Sequence, residues 1–360
     1  MSVMGESRRV LPCAFVLAMA GLTGVASADP ITFTDQRGKL IELDAPAERV
    51  IVLPKPIPSM LIAVDGGIDR LIGLHPAAQA VLMDGLLGKL YPGIAKIDTS
   101  IVGEGFIPNV EAMLVAEPDV VIQWASRPED RIDPMERVGI TVVGFGYGSY
   151  EIEAEQIEIM GKILGREERA AELLDWHRAV REDIDKVVSG IPQEERTTIL
   201  FFDRFDSDEL AVFGRNEYFF QVPGMRNLAF EAGLDQSTVT IDAEQLLEWD
   251  PDVILLNYYD PEADPQKVYD DPRFAGLKAV QNRRVYTTPK LDPGSHEAPL
   301  VWSWLATLAY PDKFDLDHRA EIAKQLEAMY GTAPDDGDLD SILQLSLNGD
   351  SYRYAERFGR

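Results

Sequence analysis

A short unit written twice constrains this chain more than any other feature. The first copy reads Asn109-Val110-Glu111-Ala112-Met113-Leu114, then Pro118-Asp119-Val120-Val121-Ile122. The second reads Asp242-Ala243-Glu244-Gln245-Leu246-Leu247, then Pro251-Asp252-Val253-Ile254. In each, a capping side chain opens a helix, glutamate follows two positions later, and proline stops the helix before an apolar strand. Glutamate and proline stand seven residues apart in both copies. The surroundings match as well: residues 49–53 correspond to 198–202 upstream, and 139–143 to 283–286 downstream. A chain that repeats a helix–strand unit in matching surroundings folds as two similar lobes.

Short apolar runs alternate with amphipathic stretches on both sides of the midpoint. Strands are predicted over 50–54, 71–74, 120–124 and 140–145 in the first half, and over 198–202, 210–213, 253–257 and 284–287 in the second. Helices are predicted over 110–116, 243–249, 301–309 and 320–330, among others. Such alternation gives parallel sheets covered by helices. Between the halves lies a stretch without proline in which Ile157, Met160, Ile163 and Leu164, then Ala170, Leu173, Leu174 and Trp176, recur at helical spacing. It reads as one long helix over 151–189, kinked near Gly165 and ended by Gly190-Ile191-Pro192. The predicted class is therefore α/β: two Rossmann-like lobes, 29–150 and 190–360, joined by a long α-helix, with a ligand cleft between them.

Residues 1–28 read as an export signal. Arg8 and Arg9 precede an apolar run, and Ala26-Ser27-Ala28 is a small-residue cleavage pattern. The single cysteine, Cys13, falls inside this segment behind Pro12, an unsuitable neighbour for a lipid anchor. A mature chain starting at Asp29 would hold no disulfide, thiolate metal site or cysteine nucleophile. The net charge of −27 repels nucleic acid and anionic membrane surfaces. It suits a basic partner, or plain solubility.

The motifs of catalysis are absent. There is no G-x-S-x-G and no phosphate-binding loop. His296-Glu297 opens like a zinc-protease motif, but Leu300 stands where the second histidine belongs. Gly144-Phe145-Gly146-Tyr147-Gly148 is glycine-rich without dinucleotide spacing. Of the four histidines, His177 and His318 are expected at the surface, and only His75 and His296 at cleft positions. No catalytic residue, protein-held metal or cofactor is expected.

Open α/β sheets bind ligands just beyond the carboxyl ends of their strands. In the first half those positions hold Lys55, Pro56, Ser59 and His75, then Trp124 and Arg127, then Phe145 and Tyr147. In the second half they hold Arg204, Arg215, Tyr258, Tyr259, Lys290 and His296. Trp124, Phe145, Tyr147, Tyr258 and Tyr259 are candidate aromatic walls; each alone is as well explained by strand-end packing. Lys55, Arg127, Arg204, Arg215 and Lys290 are candidates to offset a negatively charged ligand. His296 can hydrogen-bond or ligate a bound chelate, or cap the helix that follows; a hydrogen-bond or capping role is favoured.

Several stretches, in order and spacing, resemble the solute-binding proteins of siderophore, haem and cobalamin ABC importers. They are Asp35-Gln36-Arg37-Gly38 with Ala45-Pro46-Ala47-Glu48-Arg49, Ile68-Asp69-Arg70, Asn109-Val110-Glu111 with Pro118-Asp119, Leu277-Lys278-Ala279-Val280 with Arg284-Val285-Tyr286, and Tyr310-Pro311-Asp312. The resemblance implies a periplasmic, monomeric receptor that captures a metal chelate, a ferric siderophore first and cobalamin or haem next. It implies a transmembrane dimer as partner, met by Glu111 and Glu244. Glutamate in a first helical turn is also favourable against the helix dipole, which accounts for one such residue but not for the matched pair. An enzyme of doubly wound type, or a periplasmic sensor or scaffold that has lost transport, are the other classes open to such a chain.

Overall fold

The computed structural model describes residues 30–359 together with Met1, apart from 104–106, 127, 206–208 and 216. The export signal read over 1–28 and the cleft candidate Arg127 therefore lie outside the described residues.

The first lobe is built on a four-stranded sheet in the order Leu71–Leu74, Val50–Val52, Val120–Trp124, Val142–Phe145, all parallel. Its central strands are buried on both faces, as their unbroken Val/Ile runs require. The second lobe repeats the arrangement, with Thr198–Phe205 parallel to Val253–Leu256 and that strand parallel to Val285–Thr287. Beyond this parallel centre the sheet is mixed: Leu210–Val212 pairs antiparallel with Thr198–Phe205, and Val239–Ile241 antiparallel with Leu210–Val212. An N-terminal hairpin, Ile31–Thr34 with Leu40–Leu43, was not expected from the sequence.

The doubled unit is doubled in space. Helices Val110–Ala116 and Ala243–Trp249 are capped by Asn109, which accepts from the Ala112 N–H, and by Asp242, which accepts from the Gln245 N–H. Both end on a left-handed acidic residue, Glu117 and Asp250, just before proline. The aspartate after each proline pins the neighbouring strand. Asp119 accepts the N–H groups of Glu48 and Arg49 at 2.8 and 2.9 Å, and Asp252 accepts the Thr198 N–H and hydroxyl, both at 2.9 Å.

The link between the lobes differs from the predicted single helix. Tyr150–Leu164 ends at Gly165, which takes φ 63°, and a separate helix, Glu167–Val188, continues. Glycine tolerates the left-handed cap that breaks the run. A Cβ on Gly161 would sit 2.7 Å from the Ala170 Cβ, so the two helices cross in close contact rather than run on. The 22-residue helix Glu167–Val188 is the connector. It packs on Ala298–Ala309, an almost wholly buried helix carrying Trp302 and Trp304. Among the described residues no helix is long and apolar enough to cross a membrane.

The glycine-rich run has a structural cause. Asp35 accepts the Gly144 N–H at 2.9 Å and the Arg37 guanidinium at 2.7 Å, and Arg37 continues to Glu136 at 2.9 Å. A Cβ on Gly144 would lie 2.6 Å from the Arg37 Nε. Gln36 in turn accepts the Gly146 N–H at 2.7 Å. These glycines let the hairpin's Asp35-Gln36-Arg37 lie on the edge strand.

Candidate functional site

Both sheets present their strand carboxyl ends to one cleft between the lobes. It holds two adjoining chambers, and Lys55, Pro56, Tyr258, Tyr259, Leu291 and Asp292 line both. The larger, about 250 Å³, is walled by aromatics from the two sides. Trp124 and Tyr147 come from the first lobe and meet edge to face at 6.2 Å. From the second lobe, Phe213 is stacked on Phe201 at 4.6 Å, Phe219 and Phe220 follow, and Tyr258 lies against Tyr259 at 4.1 Å. The smaller chamber, about 160 Å³, is polar and includes Ser59, Asp84, Lys290, Glu297, Tyr330 and Asp338.

Of the residues chosen from the sequence, Lys55, Pro56, Ser59, Trp124, Tyr147, Tyr258, Tyr259 and Lys290 line these chambers. The others do not. Phe145 is 1% exposed and packs in the main core, because its strand faces inward at that register. His75 accepts the Ala77 N–H and caps the helix Pro76–Asp84. Arg204 is turned to Glu209 at 3.2 Å, and Arg215, though exposed near Glu217, does not reach the lining. Of the expected basic set among the described residues, Lys55 and Lys290 line the cleft, and Lys290 is held by Asp84 at 2.7 Å.

His296 is fully buried behind the cleft and lines neither chamber. Nor does it cap the next helix, whose N-cap position is Glu297. Its hydrogen bond is internal rather than to the cleft: its Nε2 lies 2.8 Å from the Tyr330 hydroxyl, which donates to Glu297 Oε1 at 2.9 Å. The Tyr330 oxygen must then accept from His296, fixing the proton on Nε2. His177 was expected at the surface and is instead 0% exposed, donating from Nε2 to the His296 carbonyl at 3.0 Å. His318 is buried too, against Thr307 at 2.7 Å. Burial pushes the His177 and His318 imidazoles down to about 4 and His296 to about 3, so all three are neutral.

Sequence reading missed the acids of the floor. Asp292 accepts the Gly294 N–H at 2.8 Å, and its own N–H donates to Glu297 at 3.1 Å. Burial raises Asp292, and lifts Glu297 to about 7. Glu217, 5% exposed, is raised by the same cause. Behind them Glu153 is 3% exposed, and neither of its carboxylate oxygens meets a hydrogen-bond partner. Burial first, and the Asp292 charge second, push it well above its ordinary value. Among the described residues no group of three or more histidines, cysteines or acids is placed to hold a metal ion.

Residues 101–291 match the family model for the periplasmic binding protein. The chain belongs to the periplasmic binding protein family. A solute-binding protein from Veillonella parvula has the same fold, with TM-score 0.79 and 26% identity over 89% of this chain and 99% of that one. The molybdate-bound MolA of Haemophilus influenzae superposes with TM-score 0.73; in sequence it is 22% identical over 88% of this chain and 95% of its own. The Fe(3+)-citrate-binding protein YfmC of Bacillus subtilis is 24% identical over 72% of this chain and 78% of its own. As a periplasmic binding protein this chain is a carrier rather than an enzyme. It binds a small solute.

Proposed function

We propose that this periplasmic binding protein captures a ferric siderophore and delivers it to its permease. The observation that carries the reading is the two-chambered cleft, with aromatic walls from both lobes over a polar floor. Apolar walls with a few fixed polar groups suit a bulky chelate whose metal is already enclosed. The absence of a histidine-and-carboxylate cluster among the described residues fits such a ligand better than a bare ion. The iron chelate named for the Bacillus relative points the same way. Cobalamin and haem are the competing chelates. Export to the periplasm through residues 1–28 belongs to the same proposal.

Docking falls to Glu111 and Glu244. Both are exposed, at the same place on matched helices. Three residues on, each helix also exposes a leucine, Leu114 at 47% and Leu247 at 42%. Two equivalent acid-and-leucine surfaces, one per lobe, suit a partner with two equivalent basic sites. Arginine at both glutamates should abolish uptake and leave ligand affinity unchanged; unimpaired uptake would refute the docking role.

Trp124 in the cavity wall provides the assay for the ligand. The mature protein is titrated with hydroxamate, catecholate and carboxylate ferric siderophores, cobalamin, haem and free metal ions. Saturable quenching by one ferric siderophore, lost in Trp124→Ala, is the expected result. Binding of cobalamin or haem alone would replace the ligand, and binding of none would refute the chelate reading.

A further inference from the structure

Acidic side chains outnumber basic ones along the cleft. Its lining holds five carboxyl groups against two lysines. Asp84, Asp292, Glu297 and Asp338 belong to the polar chamber, and Glu217 joins Asp292 in the aromatic one. Asp84 and Asp338 are taken up by Lys290 and Lys89, both at 2.7 Å, which leaves Asp292, Glu297 and Glu217 without a lysine partner among the described residues. Lys290 is already held by Asp84 at 2.7 Å, which leaves Lys55 as the one lining lysine without a carboxylate within salt-bridge distance among the described residues.

We propose that the aromatic chamber selects chelates that carry a protonated amine, received by Asp292 and Glu217 inside a cage of Trp124, Tyr147, Tyr258 and Tyr259, and that it rejects chelates of net negative charge. The inference rests on the chelate reading above and gives it a charge class. Two features carry it besides the acid count. Asp292 is oriented by the protein: one oxygen is fixed by the Gly294 N–H at 2.8 Å, while the other has only a 3.5 Å contact from the Tyr259 hydroxyl. That second oxygen is therefore open to a stronger donor. The walls around it are the aromatic rings of Trp124, Tyr147, Tyr258 and Tyr259, whose faces attract a cation. An anionic chelate would have to shed its water against carboxyl groups, with Lys55 in the lining and Arg215 outside it, near Glu217, as its relief.

The test uses a matched pair of probes. The ferric complex of desferrioxamine B carries a pendant ammonium; its N-acetyl derivative differs only in having a neutral amide there. Both are titrated into the mature protein by tryptophan quenching, beside ferric citrate and a ferric tris-catecholate. The ammonium complex is expected to bind at least about tenfold more tightly than the acetylated one, and the anionic complexes more weakly than either. Asp292→Asn keeps the oxygen that accepts from Gly294 and should bring the paired affinities together; Glu217→Gln is the second variant should the first fail to fold. Equal affinities for the pair, or preference for an anionic complex, would overturn the charge selection and leave the chelate reading standing. Binding of an uncharged chelate alone would do the same. No binding by any chelate, cobalamin and haem included, would refute the chelate reading and this inference with it.

Discussion

Replacing Glu153 by glutamine should stabilise the protein, and by an amount set by pH. The side chain is 3% exposed and both carboxyl oxygens lack partners, so the fold favours its protonated form. In the unfolded chain it returns to a value near 4.5. A carboxyl whose folded value is raised binds an extra proton in the native state. Its cost is absent below the unfolded value and grows as pH rises toward the folded one. Each pH unit through which the fold holds the proton costs about 1.4 kcal/mol. Glutamine has nearly the same shape and no such cost. Its amide is as short of partners as the neutral acid, so that penalty largely cancels. Urea unfolding of both proteins at pH 4.5, 6, 7 and 8 should give equal stabilities at the acid end. The variant should gain about 1.4 kcal/mol per unit above it, until the folded carboxyl ionises. A difference that does not change with pH would show that Glu153 ionises freely, and would refute the account of a buried, partnerless acid.

Tyr330→Phe removes the hydroxyl between His296 and Glu297, leaving a buried donor and an acceptor unpaired. It should cost roughly 2–4 kcal/mol in urea unfolding, and a loss below about 0.5 would contradict the assigned network. Gly144→Ala drives a methyl group into the Arg37 side chain, 2.6 Å from its Nε. A destabilisation of about 1–3 kcal/mol is expected. The combination with Arg37→Ala should cost clearly less than the sum of the two single changes, because one removes the obstacle to the other; strict additivity would count against the contact.

The frame was readable because it is local. The helices Val110–Ala116 and Ala243–Trp249 were bounded by a capping side chain on one side and proline on the other, and both bounds hold. Strands Leu71–Leu74 and Val120–Trp124 were equally plain as apolar runs. The break at Gly165 was legible only as a weak point. Whether a glycine bends or ends a helix depends on the partner that crosses it, here Ala170 against Gly161. His177 was misread although its signal was present. It stands four residues after Leu173, three after Leu174 and seven before Ile184, on the buried face of the connector. A polar ring on an apolar stripe is buried when a carbonyl, here that of His296, comes to meet it.

The site was half legible for a different reason. Strand ends can be counted from the sequence, so Trp124, Tyr147, Tyr258 and Tyr259 could be nominated. The direction of a long charged side chain cannot: Arg204 turns to Glu209, and Arg215 stays outside the lining. Asp292 and Glu297 sit in a loop whose shape depends on the Tyr330 hydroxyl, a residue from another helix. That dependence bears on function. The floor carboxyls are held by backbone N–H groups and by Tyr330, Tyr330 by His296, and the His296 carbonyl by His177 on the connecting helix. Other bonds cross between the lobes at the same edge. Lys89 reaches Asp335 and Asp338, both at 2.7 Å, and the Tyr91 hydroxyl donates to the Tyr330 carbonyl at 3.1 Å. A floor fixed to the connector in this way is preformed, so a ligand meets oriented acceptors without having to order them. The ordering cost is carried by the fold, in the partnerless Glu153 and in three histidines held neutral, rather than by the binding step.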